Sequence, residues 1–163
     1  MISTVGVGRS VGTDNISIKR TAFHKAGHAV CGRTLGLASG GATINPGTGH
    51  AVIAGHHTLH NDFIASGGYR DFLSSVFLKL MVCLAGPEAE TIAYGDADAR
   101  GDVHMIKEFC ARYYIATTDV DRLRPQVHAL LTKHWGSVEA IAEALMSRRT
   151  LTGAEIDTLV AFR

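Results

Sequence analysis

A long apolar segment in the middle of the chain constrains the fold most. The stretch YRDFLSSVFLKLMVCLAGPEAETIAYG predicts a helix over about residues 68–94. Its most apolar part, VFLKLMVCLAG, is too short to cross a bilayer and carries Lys79. Pro87 normally breaks a helix, so the segment is either one helix or two helices that meet at Gly86 and Pro87. The segment therefore predicts part of a globular domain and no membrane segment.

The segment before it predicts a helix and a small β element. Apolar residues recur at helical spacing over about residues 17–37, and Gly36 helps to end that helix. The stretch GATINPGTGHAVIAGHHTL then places two β-prone runs around a turn at Pro46 and Gly47, which predicts a hairpin or two strands of a minor sheet. Residues 1–16 are rich in glycine and small polar residues and predict a flexible lead-in.

The last part of the chain predicts further helices. Asp102 is an expected N-cap for a helix over VHMIKEFCARYYIA, and Thr152 with Glu155 fits a capping box. The remaining predicted helices span about residues 120–134, 136–147 and 153–162. The fold class predicted from these patterns is mainly α with a small β-sheet.

Composition excludes several function classes. With 163 residues, 46% hydrophobic and 19% charged, the chain has the size and balance of one globular domain. Its 16 basic and 15 acidic residues give no basic patch, so we expect no nucleic-acid partner. The N-terminus has no signal-peptide pattern. Cys31, Cys83 and Cys110 form no C-x-x-C pair, which predicts reduced, buried thiols and a cytoplasmic protein.

The stretch TAFHKAGHAVCG carries the residues with the clearest chemistry. His24 and His28 are four residues apart, so a helix presents both imidazoles to one point, where they could bind Zn²⁺ with a third ligand. Taken alone the pair is weak evidence for a metal site, because such histidines more often lie at the surface or in the core without a metal. The zinc-peptidase pattern H-E-x-x-H has glutamate where this chain has Lys25.

Several blocks resemble the M41 (FtsH-type) zinc metallopeptidases. RTAFHKAGHAVCGRTLGL resembles that family's active-site helix, which reads H-E-A-G-H-A, and LAGPEAETIAYG resembles its LGGRAAEEIIFG. RGDVHMIKEFCA lies where the family has SNDLxxATxxA, and GATINPGTGHAVIA resembles the β segment after the active-site helix. HWGSVEAIAEALMSRRTLTGAEIDTLV is similar to the C-terminal NRxxLEALAEALLEKETLxGEEI. The blocks keep the family's order over about residues 18–160.

The resemblance implies a zincin-like M41 peptidase domain over residues 17–163, with the small sheet beside the active-site helix. It implies that His24, His28 and Asp102 are the zinc ligands. Glu90 matches the first glutamate of the family's AEE and would orient a ligand imidazole, the alternative being a solvent-facing helix carboxylate. The alternative for Asp102 is a helix N-cap alone.

Lys25 departs from the family at the catalytic position. A protonated ammonium cannot accept a proton from water, so we expect an outward-turned lysine in an inactive site. A neutral lysine base, or Glu90 as a substitute base, is the alternative. The predicted function is therefore a zinc-binding, M41-like metallopeptidase domain whose peptidase activity is weak or absent. The alternative is a pseudo-peptidase that acts as a binding or regulatory module.

The family joins its peptidase to a AAA+ ATPase and membrane anchors, and neither pattern is found here. Fewer than 20 residues precede the resembling blocks, with no Walker motif, so we expect no ATP-driven unfolding by this chain. A separate AAA+ ATPase could act with it. The expected partner is a polypeptide substrate or a protein, and an oligomer is possible, although shorter segments before Asp102 and after Ile115 count against the family's ring assembly.

Other residues offer weaker metal sites. One histidine group could form an accessory site, although a solvated loop is favoured; it comprises His50, His56, His57 and His60. His104 is expected on a different helix face from Asp102. Cys31 shares a helix face with His24 and could be a soft ligand, but a small buried hydrophobic residue is the better interpretation.

Overall fold

Two long helices that pack against each other form the centre of the molecule. The structure, a computed structural model, describes residues 11–37, 40–45 and 69–161. Helix α1 spans Val11–Thr34 and helix α2 spans Tyr69–Tyr94. They approach closely because Gly27 has no side chain: a Cβ there would overlap the Ala85 carbonyl oxygen.

Four shorter helices and two short strands surround this pair in the described ranges. They are α3 Arg100–Tyr113, α4 Thr117–Lys133, α5 Trp135–Arg148, α6 Gly153–Ala161, β1 Ala42–Thr43 and β2 Thr150–Leu151. Helix α5 packs on α1, α4 packs mainly on α2, and α3 lies beside α2. Gly95 and Tyr114 adopt left-handed backbone conformations, with φ of 84° and 56°, where α2 and α3 end.

The core lies mainly between α1, α2, α4 and α5, and α3, α6 and the strands also contribute side chains to it. Its largest fully buried side chains are Leu80, Leu131, Ile141, Leu145, Leu151 and Ile156. Burying one such side chain contributes about 1.5–3 kcal/mol to folding. This apolar packing holds the helices that carry the polar cluster described below.

The two strands pair across a long stretch of chain. Strands β1 and β2 are antiparallel, with Ala42 opposite Leu151 and Thr43 opposite Thr150. The small sheet that the sequence predicts is therefore present, and its described partner for β1 comes from the C-terminal region. The predicted turn at Pro46 and Gly47, and the second β-prone run, lie outside the described residues.

Most predicted helices lie close to their expected positions, with some corrections. Helix α1 begins at Val11, so residues 11–16 are helical although they were predicted as a flexible lead-in, and residues 1–10 lie outside the described part. Helix α2 continues through Pro87 as one helix. The predicted capping box is confirmed: the Thr152 N–H donates to Glu155 Oε2 at 2.8 Å, and the Glu155 N–H donates to Thr152 Oγ1 at 3.3 Å.

The prediction that Asp102 is an N-cap is wrong. Helix α3 begins at Arg100 and Ala99 is its N-cap residue, so Asp102 lies inside the first helical turn. Its side chain is buried and contacts two residues of α1. No helix in the described ranges combines the length and the apolar character needed to cross a membrane.

Candidate metal centre

His24, His28 and Asp102 meet at one point between α1 and α3. The two imidazole Nε2 atoms are 3.0 Å apart. Asp102 Oδ2 lies 3.2 Å from His24 Nε2, and Asp102 Oδ1 lies 3.4 Å from His28 Nε2. One ligand atom from each of the three residues lies within 4.8 Å of the others, so the group is close enough to hold a metal ion.

The second nitrogen of each imidazole has its own acceptor. His24 Nδ1 lies 2.7 Å from Glu90 Oε1, and His28 Nδ1 lies 2.7 Å from the Val82 carbonyl oxygen. A carbonyl oxygen and a carboxylate only accept hydrogen bonds, so we infer that both Nδ1 atoms carry a hydrogen. In their neutral forms the two rings therefore direct the lone pairs of Nε2 toward each other and toward Asp102.

Such a cluster of acceptors requires a positive charge at its centre, which either a proton or a metal ion can supply. Burial lowers the pKa of His24, but hydrogen bonds to Asp102 and Glu90 outweigh this effect and raise it above the ordinary value. For His28, burial dominates and lowers the pKa, although Asp102 opposes it. Burial also opposes ionisation of Asp102, yet the two histidines hold its pKa well below the usual range. The cluster thus keeps an ionised carboxylate beside two imidazoles.

Gly86 on α2 leaves the space that these atoms occupy. A Cβ at this position would overlap His28 Nε2 and would lie 2.7 Å from His24 Nε2. A glycine inside a helix costs about 1 kcal/mol relative to alanine, so its presence in an apolar helix calls for a packing reason. The sequence alone predicts no role for Gly86 at the site. The cost of a glycine inside an apolar helix is nevertheless a signal that something packs closely against it. Gly86 thus lets both rings approach α2, and two imidazoles with one carboxylate are a ligand set that fits a divalent cation such as Zn²⁺.

Glu90 is buried and links the site to the loop between α2 and α3. Its Oε2 accepts hydrogen bonds from Arg20 Nε and from the Asp98 N–H, both at 3.3 Å. Arg20 also donates through Nη2 to the Asp96 carbonyl oxygen at 2.9 Å and to Asp96 Oδ1 at 2.7 Å. Glu90 therefore has the position expected of a carboxylate that orients an imidazole, and it is not solvent-facing. Arg20 was missed because no sequence spacing connects it to Glu90.

Lys25 is half-buried beside the cluster and is not turned fully to solvent. It lines a pocket of about 490 Å³ together with Arg20, His24 and Glu90. Burial lowers the pKa of Lys25, and the charge of Asp102 acts in the opposite direction. The side chain is therefore close enough to the cluster for its charge to interact with that of Asp102.

The other residues considered as metal ligands are exposed, buried in the core or outside the described residues. His104 is exposed and lies 3.6 Å from Glu108, away from the cluster, as predicted. Cys31 is buried in the core, and burial raises the pKa of its thiol to about 12, so it behaves as a small apolar residue. Cys83 and Cys110 are also free and buried, as predicted. The histidines at 50, 56, 57 and 60 lie outside the described residues.

No known family model matches this chain, and no curated protein is similar enough to count as a relative. The resemblance to M41 metallopeptidases therefore stays a prediction. The case for a metal site rests on the geometry of the three residues alone.

Proposed function

We propose that this chain is a zinc-binding domain of the M41 metallopeptidase type with weak or absent peptidase activity. His24, His28 and Asp102 would hold the Zn²⁺. One observation carries the proposal: two Nε2 atoms and a carboxylate converge, while each Nδ1 is engaged by its own acceptor. In protein zinc sites the ligand histidines characteristically donate their second N–H in this way.

The proposal of weak activity rests on the groups beside the triad. Zinc, when bound, supplies a Lewis acid that polarises a carbonyl group and lowers the pKa of water. Hydrolysis also needs a side chain that accepts a proton from that water, and a protonated Lys25 cannot do so. Glu90 is a poor substitute, because Oε1 is engaged by His24 and Oε2 by Arg20 and the Asp98 N–H.

The second candidate is a binding or regulatory module that keeps the metal and has lost hydrolysis altogether. Its support is the half-buried Lys25, which lies in the pocket beside His24. A polypeptide or a protein partner remains the expected ligand, and a separate AAA+ ATPase could present it. Both candidates share the same metal centre.

The first experiment measures the zinc content of the purified, tag-free chain by elemental analysis after incubation with zinc and removal of the excess. We expect equimolar zinc in the unaltered chain and little zinc in Asp102→Ala. Asp121→Ala is the matched control, because Asp121 is an exposed helical aspartate that pairs with Arg124 at 3.2 Å. An unaltered chain that takes up no zinc would overturn the proposal.

The second experiment separates the two candidates. Lys25→Glu restores the residue of H-E-x-x-H, so cleavage of an unfolded substrate such as casein should appear if the missing base alone silences the site. Zinc content is measured in the same samples. Bound zinc without any gain of cleavage would favour the binding module.

A further inference from the structure

Helix α3 runs along one face of α2 in the opposite direction. Immediately before α3 begins, the Asp98 N–H donates to Glu90 Oε2 at 3.3 Å, near the end of α2. Further along α3, the centre of the Phe109 ring lies 4.8 Å from Lys79 Nζ, about three turns earlier on α2. Asp102 lies between these two contacts, beside the histidines of α1. The helix therefore covers the face of α2 that carries Lys79 and Glu90.

Cys83 belongs to the covered face. It comes one helical turn after Lys79 and two turns before Glu90, so the three side chains lie on one side of α2. Its thiol is buried, and it is near enough to Asp102 and Lys79 for their charges to act on it. The thiol therefore becomes accessible to a reagent when the part of α3 around Asp102 moves away from α2.

The first turn of α3 is held by a single buried side chain. Asp102 is buried, whereas Arg100, Gly101, Val103 and His104 are all exposed. The buried apolar residues of α3 come only in its later turns. Among the described helices, α3 packs extensively on α2 alone. The position of its first turn therefore depends on what the Asp102 carboxylate meets.

The Asp102 carboxylate meets the two imidazoles of α1. Its oxygens lie 3.2 Å from His24 Nε2 and 3.4 Å from His28 Nε2. A cation held by all three residues would tie the beginning of α3 to α1. A ligand that binds only one form of a protein stabilises that form, to a degree set by its affinity and its concentration. A cation that needs Asp102 in place therefore also keeps Asp102 in place.

We propose that the first half of α3 is a metal-dependent cover of α2. A divalent cation at the triad holds the cover closed, and the metal-free chain populates an open form in which Cys83 is exposed. The inference rests on the proposed function, because the triad must bind the cation, and it gives the metal a second role as a lock. The open form is a minor state, since Ile106 and Cys110 are buried and keep the later turns packed.

The test measures by mass spectrometry how fast iodoacetamide alkylates each cysteine of the full chain. The chain is first stripped of metal with a chelator and then supplied with zinc at about ten times its dissociation constant. Without metal we expect Cys83 to react at least about tenfold faster than Cys31, which is fully buried in the core, and both to react slowly compared with the chain in urea. Zinc should slow the reaction of Cys83 by about tenfold, because it depletes the open form.

Variants of Asp102 show whether this lock is responsible. Zinc should no longer slow the alkylation of Cys83 in Asp102→Asn, which keeps the shape of the side chain but loses the charged ligand, or in Asp102→Ala. Asp121→Ala is the matched control and should behave like the unaltered chain, because Asp121 is exposed and pairs with Arg124. Circular dichroism checks that each variant is folded.

Three results would overturn the inference and leave the zinc proposal intact. The first is an equal rate for Cys83 and Cys31 in the metal-free chain. The second is a zinc-loaded chain in which Cys83 reacts as fast as without the metal. The third is slowing by zinc that persists in both Asp102 variants, since zinc would then act on the thiol itself. If elemental analysis finds no zinc in the unaltered chain, the proposed function fails, and this inference fails with it.

Discussion

His24 Nδ1 and Glu90 Oε1 lie 2.7 Å apart, and the contact joins α1 to α2 at the edge of the candidate metal centre. A neighbouring pair of the same kind, His128 Nδ1 and Glu88 Oε1, also lies 2.7 Å apart but is more exposed. The two pairs differ in what the other imidazole nitrogen faces: Nε2 of His24 faces Asp102 and His28. Only the first pair is therefore expected to influence a metal ion.

Glu90→Gln should lower zinc affinity by about tenfold or more, because the amide keeps an acceptor but loses the charge that orients and polarises His24. Competition with a chromophoric chelator measures the affinity. Glu88→Gln is the matched control and should leave it unchanged. Equal zinc affinities of the two variants would show that Glu90 has no role in the site.

Gly86→Ala should remove most zinc binding, because the new Cβ would occupy the space of the two Nε2 atoms. Gly32→Ala is the control: a Cβ there lies 3.9 Å from Val82 Cγ2, an ordinary contact. Circular dichroism should show both variants folded, since alanine favours a helix by about 1 kcal/mol over glycine. A folded Gly86→Ala chain with full zinc content would contradict the described arrangement of the rings.

Arg20→Gln should weaken zinc binding through two losses. The variant removes the ion pair with Glu90 and the contact with Asp96, so both His24 and the loop that leads to Asp102 are held less firmly. Arg122→Gln removes an exposed pair with Asp119 at 3.1 Å and serves as the control. Zinc affinity is measured beside the melting temperature of the metal-free chain. A lower melting temperature with unchanged zinc affinity would limit Arg20 to a structural role.

The cysteines should react slowly with iodoacetamide in the folded chain. Burial raises the pKa of both Cys31 and Cys83 to about 12, so little reactive thiolate is present at about pH 8. Mass spectrometry should find slow alkylation in buffer and fast alkylation in urea. Fast alkylation of Cys83 in buffer would show that the packing around α2 is looser than described.

The same pKa shifts set the sign of a pH effect. A folded pKa above the unfolded value means that the buried thiols contribute stability that is fully present below the ordinary thiol pKa. This contribution is lost as the pH rises toward about 12. Urea unfolding at increasing alkaline pH should therefore show a falling free energy of unfolding, and a Cys83→Ala chain should show a smaller fall.

Short intervals in the sequence predict two features of the structure, a shared helix face and a capping box. The four-residue interval between His24 and His28 fixes their common face on α1, and the three-residue interval between Thr152 and Glu155 fixes the capping box. Asp102, a site residue by resemblance, lies beside both histidines, but its predicted capping role was wrong. The start of α3 at Arg100 is not encoded by a strong capping residue, since Ala99 precedes it.

Contacts between distant segments could not be predicted in the same way. Arg20 reaches Asp96, and β1 meets β2, only because the packed helices bring these segments together. Two-residue strands have too few side chains to specify a partner by their pattern. The role of Gly86 likewise depends on which atoms of α1 approach α2.

The absence of a side chain at Gly27 limits which substitutions the contact between α1 and α2 can accept. The backbone of α1 there faces the Ala85 carbonyl oxygen and the small Ala89 side chain of α2, so there is no room for a side chain at position 27. The hydrogen bond from His28 Nδ1 to the Val82 carbonyl oxygen spans the same gap. Any residue larger than glycine at position 27 would push the helices apart and lengthen that bond. The spacing of the helices that carry the candidate metal centre thus depends on a residue that is not part of it.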